Sequence, residues 1–107
     1  MRVLMKVSLP VEAANAAVKK GTLSSTIQRL LEEQKPEAAY FLAEDNGERT
    51  GYFFLNMKDS SEIPGLAEPW FLAFNARITL RPVMNAQDLA NAAPGFERAI
   101  KAFATSA

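Results

Sequence analysis

The chain contains neither cysteine nor histidine. Without cysteine there is no disulfide scaffold, no thiolate metal site and no thiol nucleophile. Without histidine the commonest general base and the commonest transition-metal ligand are both missing. Any metal would have to sit among oxygen ligands. The carboxylates Glu44, Asp45, Glu48, Asp59 and Glu62 fall instead at turn and cap positions, where acids serve the local backbone, and no calcium-loop spacing occurs. The expectation is no metal and no cofactor. Net charge is absent too, since 12 basic side chains balance 12 acidic ones. A broad grip on nucleic acid needs a basic excess, so nucleic acid is not an expected partner. No apolar run nears the roughly 20 residues that span a bilayer. The start, Met1 to Pro10, alternates like a strand and does not read as a signal peptide. A cytoplasmic chain with no membrane partner is expected. The G-x-S-x-G, H-E-x-x-H and G-x-G-x-x-G motifs are all missing, so no catalytic residue is named.

What is present is an ordinary globular composition, 49% apolar and 22% charged over 107 residues, which predicts one domain spanning residues 1–107. Arg2 to Leu9 has period two, with Val3, Met5, Val7 and Leu9 on one side. Pro10 ends this strand. Val11 to Lys20 reads as a helix with Val11, Ala14 and Val18 on one face, stopped by Gly21. Thr22 or Ser24 then caps a segment striped by Ile27, Leu30 and Leu31. The hydroxyls from Thr22 to Thr26 invite a phosphate-site reading, but P-loop spacing is absent and helix capping explains them. Glu37 to Glu44 and Thr50 to Met57 read as strands joined by a hairpin loop of two residues or slightly more, with Asn46 and Gly47, which both tolerate positive φ, as its central pair. Ser60 or Ser61 is the preferred cap for the next helix, because capping from Asp59 would leave Pro64 in the interior. Pro69 is expected to kink or split that helix ahead of the aromatic run Trp70 to Phe74, which reads as core or interface packing. Ala76 to Val83 is the fourth strand. Asn85 caps a last helix, which Pro94-Gly95 interrupts before the apolar spacing Phe96, Ala99, Ile100 and Phe103.

The order strand, helix, strand, strand, helix, strand is the split βαβ arrangement of α+β ferredoxin-like domains. The expected sheet order is 4-1-3-2, with an extra C-terminal helix. The sheet face away from the helices would carry Leu4, Lys6, Tyr40, Leu42, Tyr52, Phe54, Asn56, Arg77, Thr79 and Arg81. From that face come the candidate ligand-binding residues Lys6, Tyr40, Tyr52, Asn56, Arg77 and Arg81. Cations set among phenol and amide groups suit a carboxylate, enolate or phosphate. The plainer reading is a polar outer face, with long basic chains lying over an apolar sheet and reaching water. Its apolar members need cover, by the tail helix or by a second copy of the chain.

The runs Lys35 to Phe41, Arg49 to Tyr52, Ser61 to Pro64, Ala67 to Pro69 and Pro82 to Asn85 resemble a family of small bacterial proteins, over about nine-tenths of the chain. That family in turn resembles the dimeric α+β barrel superfamily, which includes muconolactone isomerases and small cofactor-free monooxygenases. The resemblance implies a ferredoxin-like fold, a homodimer and a small-molecule site, placed between sheet and helices or inside the dimer barrel. It carries over no catalytic residue, because the histidines used in several of those groups have no counterpart here. The expected function is binding of a small, anionic molecule or cofactor-free catalysis upon it. The alternative is a homodimeric interaction module without catalysis.

Overall fold

A computed structural model describes residues 1–104. The elements are β1 (Arg2–Leu9), α1 (Val11–Lys20), α2 (Leu23–Gln34), β2 (Ala38–Ala43), β3 (Arg49–Asn56), a 3-10 turn (Ser60–Glu62), α3 (Ile63–Phe74), β4 (Arg77–Pro82), α4 (Ala86–Asn91) and α5 (Ala93–Phe103). Neighbouring strands are all antiparallel. They lie in the order β2-β3-β1-β4, which from the other edge reads 4-1-3-2. Period two along each strand sorts the side chains. Val3, Met5, Val7 and Leu9 of β1 and Phe53 and Leu55 of β3 are buried, with Ala14 of α1, Leu30 of α2 and Trp70 and Phe74 of α3 packed into the same core.

Helix ends follow from local chemistry. Gly21 takes a left-handed conformation at φ 74°, and Thr22 donates back to the Ala17 carbonyl at 2.9 Å, so α1 and α2 are separate helices. Lys35 and Asn75 take the same conformation to end α2 and α3. The indole of Trp70 donates to Gln34 Oε1 at 3.1 Å, while Gln34 Nε2 donates to the Leu66 carbonyl at 2.9 Å, locking α2 to α3.

The structure makes several local expectations definite and corrects others. Only Gly47 of the Asn46-Gly47 pair has positive φ. The Gly47 N–H donates to the Glu44 carbonyl at 2.8 Å and Glu44 in turn donates to Glu48. This is the geometry of a three-residue loop, a type I turn followed by a left-handed glycine. Asn46 instead accepts the Glu48 N–H on its side chain at 3.0 Å. The cap before α3 is Asp59, in a capping box with Glu62, but it caps the 3-10 turn, and that leaves Pro64 in the first turn of α3. The α3 helix runs through Pro69 without a break. The buried Ala67, Trp70 and Phe74 hold it on both sides of the lost hydrogen bond. Val11 and Val18 are half exposed, and Ala14 is the residue α1 buries. The tail breaks at Ala92, before Pro94, giving α4 and α5.

The tail does not cover its own sheet. Asp88 of α4 pairs with Arg2 at 3.7 Å at one corner, and every residue of α5 is exposed. The molecule extends 63 × 29 × 21 Å.

Candidate functional site

Strand register decides which of the expected ligand residues meet. Tyr40 lies opposite Tyr52, Tyr52 opposite Lys6, and Lys6 opposite Thr79, forming one row across the four strands. The Lys6 ammonium stands 5.9 Å from the centre of the Tyr52 ring, within cation–π range. The Tyr52 hydroxyl donates to the Glu44 carboxylate. That bond, aided by partial desolvation and the Glu44 charge, holds the phenol above its ordinary pKa, with Arg81 opposing. Arg81 lies one row along, opposite Leu4, whose other neighbour is Phe54. Among the described residues, neither Lys6 nor Arg81 forms an ion pair.

The remaining two candidates lie at opposite ends of the face. Arg77 donates through Nε and Nη2 to both oxygens of Glu48, each at 3.3 Å. Glu48 also accepts from the Ser8 hydroxyl at 2.6 Å. The Ser8 hydrogen bond, then the Arg77 guanidinium, hold the Glu48 carboxyl below the usual range against a desolvation cost. Asn56 accepts from the Met1 amine at 3.1 Å. Three rows separate Arg77 from Asn56, about 20 Å at the spacing of alternate residues in a strand. The six residues share a face but not a pocket.

A formed hollow lies on the other side of the sheet, between the β2–β3 hairpin and α2. It has a volume of about 320 Å³. Leu23 and Ile27 of α2, Phe41 of β2, Phe53 of β3 and Trp70 of α3 form its apolar walls, with Arg49 among the lining residues. Its shape depends on Gly51. A Cβ there would stand 2.5 Å from Cζ of Phe53, so the Phe53 ring folds back along its own strand over the missing side chain. The ring stacks on Trp70 (5.1 Å between centroids) and meets Phe41 edge-on (5.6 Å). Arg49 donates to Asn15 Oδ1 at 3.1 Å and forms no ion pair among the described residues. A shallower apolar hollow on the outer side of Phe41 is lined by Ile27, Gln28 and Leu31. Sequence reasoning put Ile27 and Phe53 on inner apolar faces, read Trp70 as core or interface packing and allowed a site between sheet and helices, but it named none of these side chains as lining one. A hollow arises where α2 fails to cover the edge strand β2, and residue types do not report that.

The cleft lining can take an apolar ring and, at Arg49, one anionic substituent. Within that lining Arg49 is the one titratable side chain, so it offers no general base. Among the described residues, no group of three or more acidic side chains is placed to hold a metal, and no helix is long and apolar enough to cross a membrane.

No protein-family model matches the chain, and no curated protein matches it in sequence. Solved structures do resemble it. One is 5-chloro-2-hydroxyhydroquinone dehydrochlorinase (TftG) from Burkholderia phenoliruptrix AC1100 in complex with 2,5-dihydroxybenzoquinone. It has a TM-score of 0.62 at 11% identity, covering 81% of this chain and 97% of that one. Another is a formyltetrahydrofolate deformylase from Pseudomonas putida KT2440, with a TM-score of 0.48 at 16% identity, covering 78% of this chain and 29% of that one. The first likeness, with the sheet order β2-β3-β1-β4, shows what the chain is in architecture: an α+β domain of the ferredoxin-like fold.

Proposed function

We propose that the protein binds a small, single-ring aromatic acid in the cleft between the β2–β3 hairpin and α2. The observation that carries this reading is the cleft itself: about 320 Å³, walled by Ile27, Phe41, Phe53 and Trp70, with a cation at Arg49. Small-molecule sites are commonly apolar hollows of a few hundred Å³ with a few polar groups that fix orientation. The volume is at the low end of that range, which favours one ring over a fused system. The lining holds no general base to activate its one hydroxyl, that of Thr50, which donates to the Glu48 carbonyl at 3.1 Å, so binding is better supported than catalysis. The compound bound by the Burkholderia enzyme, 2,5-dihydroxybenzoquinone, is a single acidic ring and serves as a probe. Calorimetric titration should show saturable binding at one site per chain. Ile27→Trp, which fills the cleft, should abolish it, and Arg49→Gln should weaken it. Unchanged affinity in Ile27→Trp would place the site elsewhere.

A second reading concerns the open sheet face. There the apolar Leu4 and Phe54 lie beside Arg81 and one row from Lys6, two cations with no ion pair among the described residues. A second copy packed on this face would make a homodimer, the apolar members giving contact and Lys6, Tyr40, Tyr52 and Arg81 holding a small anion between the sheets. Burying those cations without a counter-charge would be costly, so an anion or water must accompany them. Light scattering should give twice the chain mass, and added phosphate should tighten the dimer. A monomer at micromolar concentration removes this reading and leaves the cleft untouched.

A further inference from the structure

The α5 helix is amphipathic and stands clear of the body. Phe96, Ile100 and Phe103 line one side at helical spacing, and all three are more than half exposed. The radius of gyration is 18.2 Å, against roughly 13 Å for a compact chain of this length. The root of this arm is fixed. Val83 donates to the Arg2 carbonyl at 3.1 Å, and Asp88 pairs with Arg2, so the arm leaves from the β4 edge at the Arg2 end of the sheet.

The groove that suits an apolar helix is at the opposite edge. Ile27 and Leu31 of α2 and Phe41 of β2 line it, and it continues into the cleft described above. Two strands separate β2 from β4, so a chain's own arm starts about 14 Å away across the sheet and points outward. A second copy removes the difficulty. Two aligned sheets packed face to face about a two-fold axis parallel to the strands set each β4 edge over the partner's β2 edge, with the same strand ends together. The arm root then lies beside the partner's Ala38 end of β2, where the groove begins at Leu31. At 1.5 Å per residue, the 11 residues of α5 reach about 16 Å, enough to run from Leu31 past Ile27.

We propose that α5 is an exchange arm: in a homodimer, the apolar face of each α5 docks in the groove between α2 and β2 of the second copy and covers the mouth of that copy's cleft. This rests on the dimer reading given above. Each ligand site is then completed by the partner, in the helix-in-groove manner by which apolar anchors at i, i+4 and i+7 seat along a partner surface.

The cysteine-free chain allows a direct test by disulfide trapping. Gln28→Cys marks the groove and Ala99→Cys marks the arm, both at exposed positions. Mixing the two single variants under oxidising conditions should give a covalent heterodimer. The double variant should give covalent dimers and not an internally closed monomer. Ile100→Ser should weaken the dimer at least about tenfold, as loss of a central apolar anchor does. An internally closed monomer would overturn the proposal by showing the arm folded on its own chain. So would efficient self-dimerisation of Ala99→Cys alone, which would show arms pairing with each other. A dimeric mass without any trapped product sinks the arm but spares the dimer, whereas a monomeric mass sinks the dimer as well.

Discussion

Replacing Gly51 by alanine adds one methyl group, and the surroundings set its cost. The new Cβ would meet Cζ of Phe53 at 2.5 Å, Cε2 of Phe53 at 2.9 Å and Cε1 of Phe41 at 3.4 Å. The Phe53 ring is stacked on Trp70 and bounded edge-on by Phe41, so its way out is into the cleft that it walls, at the cost of those two ring contacts. Trp70 is itself tied to Gln34. Overpacking of this kind costs about 1–3 kcal/mol. The opposing effect is that alanine suits a strand interior better than glycine by roughly 0.5–1 kcal/mol. Crowding wins, and Gly51→Ala should destabilise the fold by about 0.5–2 kcal/mol. At a slope of about 2 kcal/mol per molar urea, the unfolding midpoint should fall by roughly 0.3–1 M. Because the displaced ring is a wall of the cleft, affinity for the quinone probe should fall in step. The cause is checked in a Phe53→Leu background, where the smaller side chain leaves space and the Gly51→Ala cost should vanish. An equal cost in both backgrounds, or a midpoint that rises in the Phe53 background, would refute the reasoning.

Other consequences follow from single contacts. Glu48 should titrate below the ordinary carboxylate range by carbon-detected NMR, and Ser8→Ala and Arg77→Ala should each return it toward normal. The stability linked to this depressed group is present above the unfolded-state pKa and is lost as pH falls through the folded value, so acid unfolding should come at higher pH in Ser8→Ala. Gln34→Leu leaves the buried Trp70 indole N–H without its acceptor and the Leu66 carbonyl without its donor, and should cost about 1–3 kcal/mol in a denaturation series.

The strand faces were legible because period two with one buried side leaves a single way to sort β1 and β3, and Val3, Met5, Val7, Phe53 and Leu55 follow it. The turn was legible as a turn but not as a type. Asn46-Gly47 marks a reversal, but the type depends on loop length, which the pairing of Glu44 with Glu48 fixes. The residues of the open face were legible as a set. What sequence order does not carry is cross-strand register, and register brings Tyr40, Tyr52 and Lys6 into one row while sending Arg77 and Asn56 to opposite ends. The cleft was illegible for a different reason. It is made by incomplete cover over β2 and by a ring folded over Gly51, and the same aromatics would read as filled core in any packing. The direction of α5 hangs on the break at Ala92, which Pro94 announces two residues ahead without fixing the angle that the chain takes there.

The cleft is tested most directly with isoleucine methyl groups. The chain has four isoleucines, of which Ile27 alone lines the cleft, while Ile63, Ile78 and Ile100 lie on other elements. In a methyl-labelled sample titrated with 2,5-dihydroxybenzoquinone, the Ile27 resonance should shift with saturation and carry intermolecular contacts to the ligand ring. A saturating titration that moves other methyls while Ile27 stays in place would contradict the account.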